Sequence, residues 1–321
     1  MDDGLTPLTP EATRVTEWHQ PVMGTTVELQ LVLEGTDAAR EGAEIISAVI
    51  SEMRRLQDIF SSVDPESEFS RWLLGEVARP SEELSSIVAA TRNWHAASGA
   101  RFNPRVVELA AVWSHAEQTG EMPSPEMLQS LAASISELPW SLDQATDSWR
   151  PGIVHRSTLN AFAKGWVVDR AIEFASNYPE VRSVTINAGG DLRRSGPDPL
   201  LVGIENPFRP FDNEPPLATI TLNNCALATS GSARKGFSVG ERRFGHVIDP
   251  RTGWPIESTR SISVLAPTAA EADVLATILG VETPPQAINE ANARDIAVLI
   301  VDADQNQHRS NAWSEIENVL S

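Results

Sequence analysis

The stretch Phe244-Gly245-His246-Val247-Ile248-Asp249-Pro250-Arg251-Thr252-Gly253 holds the clearest chemical pairing in the chain. A histidine stands three residues before an aspartate, and a Pro-x-Thr-Gly turn follows at once. Histidine ionises near pH ~6.5, so it can take or give a proton close to neutrality. The segment puts that base and a carboxylate at the end of a short strand. The same residue types also suit a strand that ends in a Pro-Gly turn beside a hydrogen-bonded histidine, and the spacing leaves both open.

A second constellation lies further on. Asp273 and Thr277 are four residues apart on a predicted helix, Glu271 to Leu279, and so share one face. Magnesium takes hard oxygen ligands from a few protein groups and fills its remaining positions with water or phosphate oxygens, which suits such a pair. The competing role is local: in a helix's first turn a carboxylate complements the dipole without any metal.

Three small-residue segments could bring backbone close to an anion. Ala228-Thr229-Ser230-Gly231-Ser232 has the composition of a phosphate-binding nest, or of an ordinary turn. Asn187-Ala188-Gly189-Gly190-Asp191 ends a strand with a glycine pair that permits close approach of a ligand or of a neighbouring strand. Thr158 to Gly165 leads into a helical run, Trp166 to Ser176, which would set Lys164 near a helix amino end, either facing an anion or simply solvated.

Elements must hold these groups in place. Thr26 to Glu34 alternates, with Val27, Leu29, Leu31 and Leu33 on one face, the period of a half-buried strand. From Asp37, the residues Ile45, Ile46, Val49, Met53, Leu56 and Phe60 recur at helical spacing and predict a long amphipathic helix against that sheet. Pro80-Ser81 opens a helix through Trp94, and another runs from Pro104 to about Gln118. Thr119 to Gly152 reads as loop-rich. Beyond it come the short strands Ser183 to Asn187, Leu200 to Ile204, Ala218 to Leu222 and Ser261 to Leu265, with Asp295 to Asp302 as the last. The pattern predicts an α/β fold of mixed helix and sheet, with residues 1–17 as a flexible amino-terminal segment and 18–321 as one compact domain.

Composition narrows the function. The chain has 321 residues, 41% of them apolar and 21% charged, which is ordinary for a globular protein. Acidic side chains outnumber basic ones by 44 to 25, for a formal charge of -19. Such a surface repels a phosphate backbone, so nucleic acid is not an expected partner, and an anionic nucleotide would need a cation or local amides. Cys225 is the only cysteine, which excludes an intrachain disulfide and a cysteine-based zinc cluster. Met1 to Glu17 lacks the basic start and apolar run of a signal peptide, no lipid-anchoring cysteine is present, and no membrane span is expected. A cytoplasmic protein is the expectation.

Taken in order, these segments resemble the ApbE family of FAD:protein FMN transferases from about Pro21 to Gly280. The resemblance runs through Met23-Gly24-Thr25, Phe60-Ser61, Arg101-Phe102-Asn103-Pro104, Ala161 to Gly165 with Asp169, and Asn187 to Asp191. It continues through Thr229-Ser230-Gly231, His246-x-x-Asp249-Pro250-x-Thr252-Gly253 and Ala272-Asp273 with Thr277. It implies a mixed sheet flanked by helices, FAD as substrate in a cleft, and magnesium near its pyrophosphate. It further implies Asp273, Thr277 and the main-chain carbonyl of Ala161 as metal ligands. Met23, Arg101, Phe102, Asn103, Thr158, Lys164, Thr229, Ser230, Gly231, His246 and Asp249 would contact the flavin nucleotide, and His246 would be the base for an acceptor hydroxyl. The implied reaction leaves FMN in phosphoester linkage to a serine or threonine of a target flavoprotein and releases AMP.

The chain departs from the family pattern. Thr158 and Asn160 stand where the family usually has an aspartate and a glycine, Asn103 and Arg105 where it has an aspartate and a threonine, and Val63 where a tyrosine is frequent. Asn103 and Thr158 each remove a carboxylate acceptor. Two alternatives therefore stay open: a magnesium-dependent FAD pyrophosphatase that passes the phosphoryl group to water, and a non-catalytic FAD-binding protein.

Overall fold

The computed structural model describes residues 12–35, 37–152, 156–210, 214–231 and 236–318. The chain begins with a hairpin of β1 (Ala12–Val22) and β2 (Thr25–Glu34), whose turn residues Met23 and Gly24 both take positive φ, 53° and 71°. That backbone matches the twist of the paired strands, which is why the turn can be so short. Five helices follow: α1 (Ala38–Phe60), α2 (Glu68–Leu73), α3 (Glu82–Ala97), α4 (Val106–Thr119) and α5 (Pro125–Ser134). A small hairpin of β3 (Trp140–Asp143) and β4 (Ser148–Pro151) precedes α6 (Asn160–Ser176).

The strand-rich half runs β5 (Val181–Ala188), β6 (Asp191–Ser195), β7 (Leu200–Ile204), β8 (Ala218–Leu222), β9 (Ala226–Gly231), β10 (Gly236–Val239), β11 (Arg242–Gly245) and β12 (Thr259–Ala266). It closes with α7 (Ala269–Gly280), α8 (Pro284–Ala293), β13 (Val298–Asp302), β14 (Gln307–Arg309), α9 (Asn311–Ile316) and β15 (Glu317–Asn318).

Eight strands make the main sheet in the order β1-β2-β5-β6-β9-β12-β13-β14, every neighbouring pair antiparallel. The largest apolar cluster joins Val27, Leu29, Leu31 and Leu33 of β2 to Ile45, Ile46, Val49, Met53 and Leu56 of α1, with α6 and α7 in the same layer. The opposite side carries Leu192, Leu227, Leu265 and Leu299, which pack on the small sheet β15-β8-β7 and on Trp313. A third cluster ties α4 and α5 to the β10-β11 hairpin through Trp113, Leu109, Leu128, Phe237 and Phe244. The mixed α/β fold expected from the sequence is the one found.

Several boundaries differ. The division at 17/18 falls inside β1, because Ala12 to Glu17 pair with β2 in continuous register. The stretch expected as loop contains α5, β3 and β4. Ser124 and Pro125 mark the start of α5: the serine side chain accepts from the Met127 amide, and proline occupies the first turn. Asp295 to Asp302 is neither the last strand nor strand throughout, since β13 starts at Val298 and β14 and β15 follow it.

Candidate active site

The face of α6 at Ala161, Gly165 and Asp169, spaced by four residues, meets the start of α7. A Cβ on Gly165 would lie 2.4 Å from the Ala269 carbonyl oxygen, so only glycine permits this helix contact. One turn on, the Asp169 carboxylate accepts the Ala269 and Ala270 amides at 2.8 and 3.0 Å and pairs with Arg193 at 2.6 Å. Thr268 takes the Glu271 amide at 3.2 Å. These two side chains satisfy the amides that a helix start leaves open.

That capping leaves Asp273 with no capping role. Because α7 begins at Ala269, Asp273 falls in the second turn, and its carboxylate is not the cap. It points inward, where its Oδ2 is buried with no hydrogen-bond partner and where the Gly165 amide and the Asp191 carboxyl group face it. Burial, then the Asp191 charge, push its pKa well above the ordinary carboxylate value. Asp191, only 2% exposed, is raised too, chiefly by burial, and its ion pair with Lys164 works against that rise. Two buried carboxyl groups thus meet beside a single ammonium, which is paired to Asp191.

Thr277 follows Asp273 by one helical turn, and the Ala161 carbonyl lies one turn before the Gly165 amide on the same face of α6. Among the described residues no group of three or more histidine, cysteine and acidic side chains is placed to hold a metal. Asp273, Asp191, the Thr277 hydroxyl and the Ala161 carbonyl would instead supply the hard, oxygen-only donors that suit a magnesium-like cation. The unpartnered Asp273 oxygen fits such an ion.

Lys164 lies inside α6, in its second turn, because the helix opens at Asn160 rather than Trp166. Its ammonium pairs with Asp191 and donates to the Ala188 carbonyl at 3.3 Å, so it neutralises the carboxylate and does not stand at a helix end. Thr229, Ser230 and Gly231 belong to β9 and pair with Ser263, Ile262 and Ser261 of β12, so they form strand, not a nest; Ser232 lies outside the described residues. Register still brings them to the site, since Asp191 is paired with Ala228 and the Thr229 amide donates to the Gly190 carbonyl at 3.2 Å. The Met23-Gly24-Thr25 tip joins them: a Cβ on Gly189 would lie 2.3 Å from Thr25 Oγ1.

The chain belongs to the ApbE family. The family's sequence model matches residues 23–300. A protein of Haemophilus influenzae named FAD:protein FMN transferase is 27% identical over 306 residues, covering 90% of this chain and 87% of its own. The Escherichia coli K12 protein of that name is 26% identical over 311 residues, covering 92% and 86%. The crystal structure of an ApbE protein from Thermotoga maritima matches with a TM-score of 0.82 at 24% identity, over 95% of this chain and 100% of the other. The apo form of the Pseudomonas stutzeri flavinyl transferase ApbE gives 0.77 at 23% identity, over 95% and 96%.

The remaining residues expected at the site lie in other ApbE segments. His246 follows β11 directly and is half-buried. The Asp249 carbonyl accepts the Thr252 and Gly253 amides at 3.2 and 2.8 Å, and its carboxylate is gripped by Arg251. Trp113 of α4 donates to the Gly253 carbonyl at 2.8 Å, while Gly253 takes φ +80° where a side chain would press on Leu109 and Leu128. Phe102, 2% exposed, packs edge-on against Phe162 in the core. Asn103, 5% exposed, spends its amide on the Ile135 carbonyl and its oxygen on the Arg105 amide, and Arg105 in turn holds Glu108 and the Ser134 carbonyl. Thr158 bonds Ser62 at 3.1 Å and the Asn160 amide at 3.1 Å. Arg101 is committed to Glu290, Glu282 and the Ser98 carbonyl.

Sequence reasoning placed Asp191 and Asp169 in recognisable segments without giving either a task. The four-residue spacing of Ala161, Gly165 and Asp169 was a signal for the helix contact. No local signal announced that Asp191 would face Asp273, because that meeting joins a strand turn to a helix more than 80 positions away.

Proposed function

We propose that the chain is an FAD:protein FMN transferase, moving FMN from FAD to a serine or threonine hydroxyl of a target flavoprotein and releasing AMP. The observation that carries this reading is the buried, unpartnered Asp273 oxygen beside Asp191, on the helix that also bears Thr277, in a chain of the ApbE family. Asp273, Thr277 and the Ala161 carbonyl would hold magnesium. Bound there, the ion would neutralise charge on the pyrophosphate of FAD. The acceptor oxygen bonds to the FMN phosphorus, the bond from that phosphorus to the AMP oxygen breaks, and His246 takes the hydroxyl proton.

Incubation with FAD, magnesium and a threonine-bearing acceptor protein tests the proposal by intact mass. The expected result is an acceptor heavier by one FMN group, with AMP in equal amount. Free FMN and AMP with an unchanged acceptor would make the chain a pyrophosphatase. FAD that binds without yielding AMP would make it a flavin-binding protein.

No helix among the described residues is long and apolar enough to cross a membrane. A cytoplasmic setting, with no nucleic-acid partner, completes the proposal and is tested by cell fractionation and by binding to duplex DNA at low salt.

A further inference from the structure

Glu282 sits in the elbow between α7 and α8, five residues after Thr277, with its amide donating to the Leu279 carbonyl at 3.1 Å. Its Oε1 accepts from Arg251 at 2.8 Å and from Arg101 at 3.5 Å. Arg251 turns its other donors on Asp249, at 2.8 to 3.2 Å. Arg101 turns its own on Glu290, at 2.6 and 3.1 Å, and Arg294 reaches the same carboxylate at 3.1 Å. Acids and bases thus alternate along a ladder: Asp249, Arg251, Glu282, Arg101, Glu290, Arg294.

The ladder joins three segments that come from distant parts of the chain. Asp249 and Arg251 belong to the turn that follows His246, Arg101 precedes Phe102 and Asn103, and Glu282 is fixed to the end of the helix bearing Asp273 and Thr277. The side chains of Glu282 and Arg101 are 17% and 14% exposed, so water screens the central rung poorly. The guanidinium forks close on Asp249 and on Glu290 and fix the orientation of each arginine, while Glu282 Oε1 takes one donor from each.

We propose that Glu282 is a positioning residue for the transfer reaction, locking the His246 turn and the Arg101-Phe102 segment to the helix that carries Asp273. This rests on the FMN-transfer reading. Glu282 is the residue hydrogen-bonded both to Arg101 and to Arg251 of the His246 turn, so it is the direct link between them.

The test removes one rung at a time, in Glu282→Gln, Arg101→Met and the double variant, with far-UV circular dichroism and melting to establish that each is folded. Amide exchange at Thr252 and Gly253 is expected to quicken about tenfold in both single variants, with no further gain in the double, as for residues acting through one network. In the transfer assay, Glu282→Gln is expected to lower kcat about tenfold or more with the KM for FAD nearly unchanged, because misplaced groups slow the chemical step. Unchanged exchange, or additive effects of the two substitutions, would overturn the proposal. Faster exchange with an unchanged kcat would also overturn it, leaving Glu282 a stabilising contact only. Should the wild-type chain yield no AMP from FAD, the functional reading fails, while the exchange measurement still shows whether the brace exists. Arg251→Met, which cuts the adjacent rung, replaces Glu282→Gln if that variant does not fold.

Discussion

The carboxyl groups of Asp191 and Asp273 face each other in the interior, with the Lys164 ammonium paired to Asp191. Burial raises both pKa values, the Asp191 charge adds to the rise at Asp273, and the metal-free chain carries a cost that a bound cation would remove.

Asp273→Asn tests that cost. A group whose pKa is raised by folding stabilises the fold below its ordinary value, 3.8, and loses that contribution as pH rises through the folded value. At neutral pH the metal-free variant is therefore expected to melt no lower than wild type. Magnesium should no longer raise its melting temperature, and turnover should fall by more than roughly 100-fold, since even the outer partners of a metal site cost up to about that much. Retention of the magnesium-induced shift would remove Asp273 from the ligand set.

Gly165→Ala probes the α6–α7 contact. The new Cβ would meet backbone atoms of Ala269 and Ala270 at 2.4 to 2.6 Å, and neither helix can yield by moving a side chain. A loss of about 1–3 kcal/mol or more is expected from chemical denaturation, together with weaker magnesium binding because α7 carries Asp273. A variant as stable as wild type would show that the helices are not packed this closely.

Asp169→Ala removes both the cap of α7 and the partner of Arg193. Breaking a buried ion pair on one side costs about 3–5 kcal/mol. Denaturant titration should give a loss in that range, and Asp169→Asn, which keeps one acceptor, should lose less. Equal losses in the two variants would mean that charge, rather than capping, is what the position supplies.

Glu290 supplies a pH dependence of opposite sign. Hydrogen bonding to Arg101 holds its pKa below the usual 4.5, so its stabilising contribution is present above that value and disappears as pH falls through the depressed one. The melting temperature of Glu290→Gln should therefore lie below wild type at pH 7, and the gap should narrow once pH drops below 4.5. A gap that stays constant from pH 7 to pH 4 would show that the carboxylate's charge contributes nothing there.

What the sequence alone determined was local in origin. The alternation of Thr26 to Glu34 and the helical spacing from Ile45 to Phe60 gave β2 and α1, because a strand's period of two and a helix's 3.6 are written in consecutive residues. The placing of Asp273 and Thr277 one turn apart on a single helix and the turn from Asp249 to Gly253 were legible for the same reason. Tertiary structure decided the rest. It gave Lys164 to Asp191, closed Asn103 on Ile135 and Arg105, and drew Thr229 to Gly231 into β9. It also set Glu282 between two arginines 150 positions apart. Such partners are chosen by sheet register and helix packing, which depend on residues far away in the chain, so no spacing within a single segment can announce them.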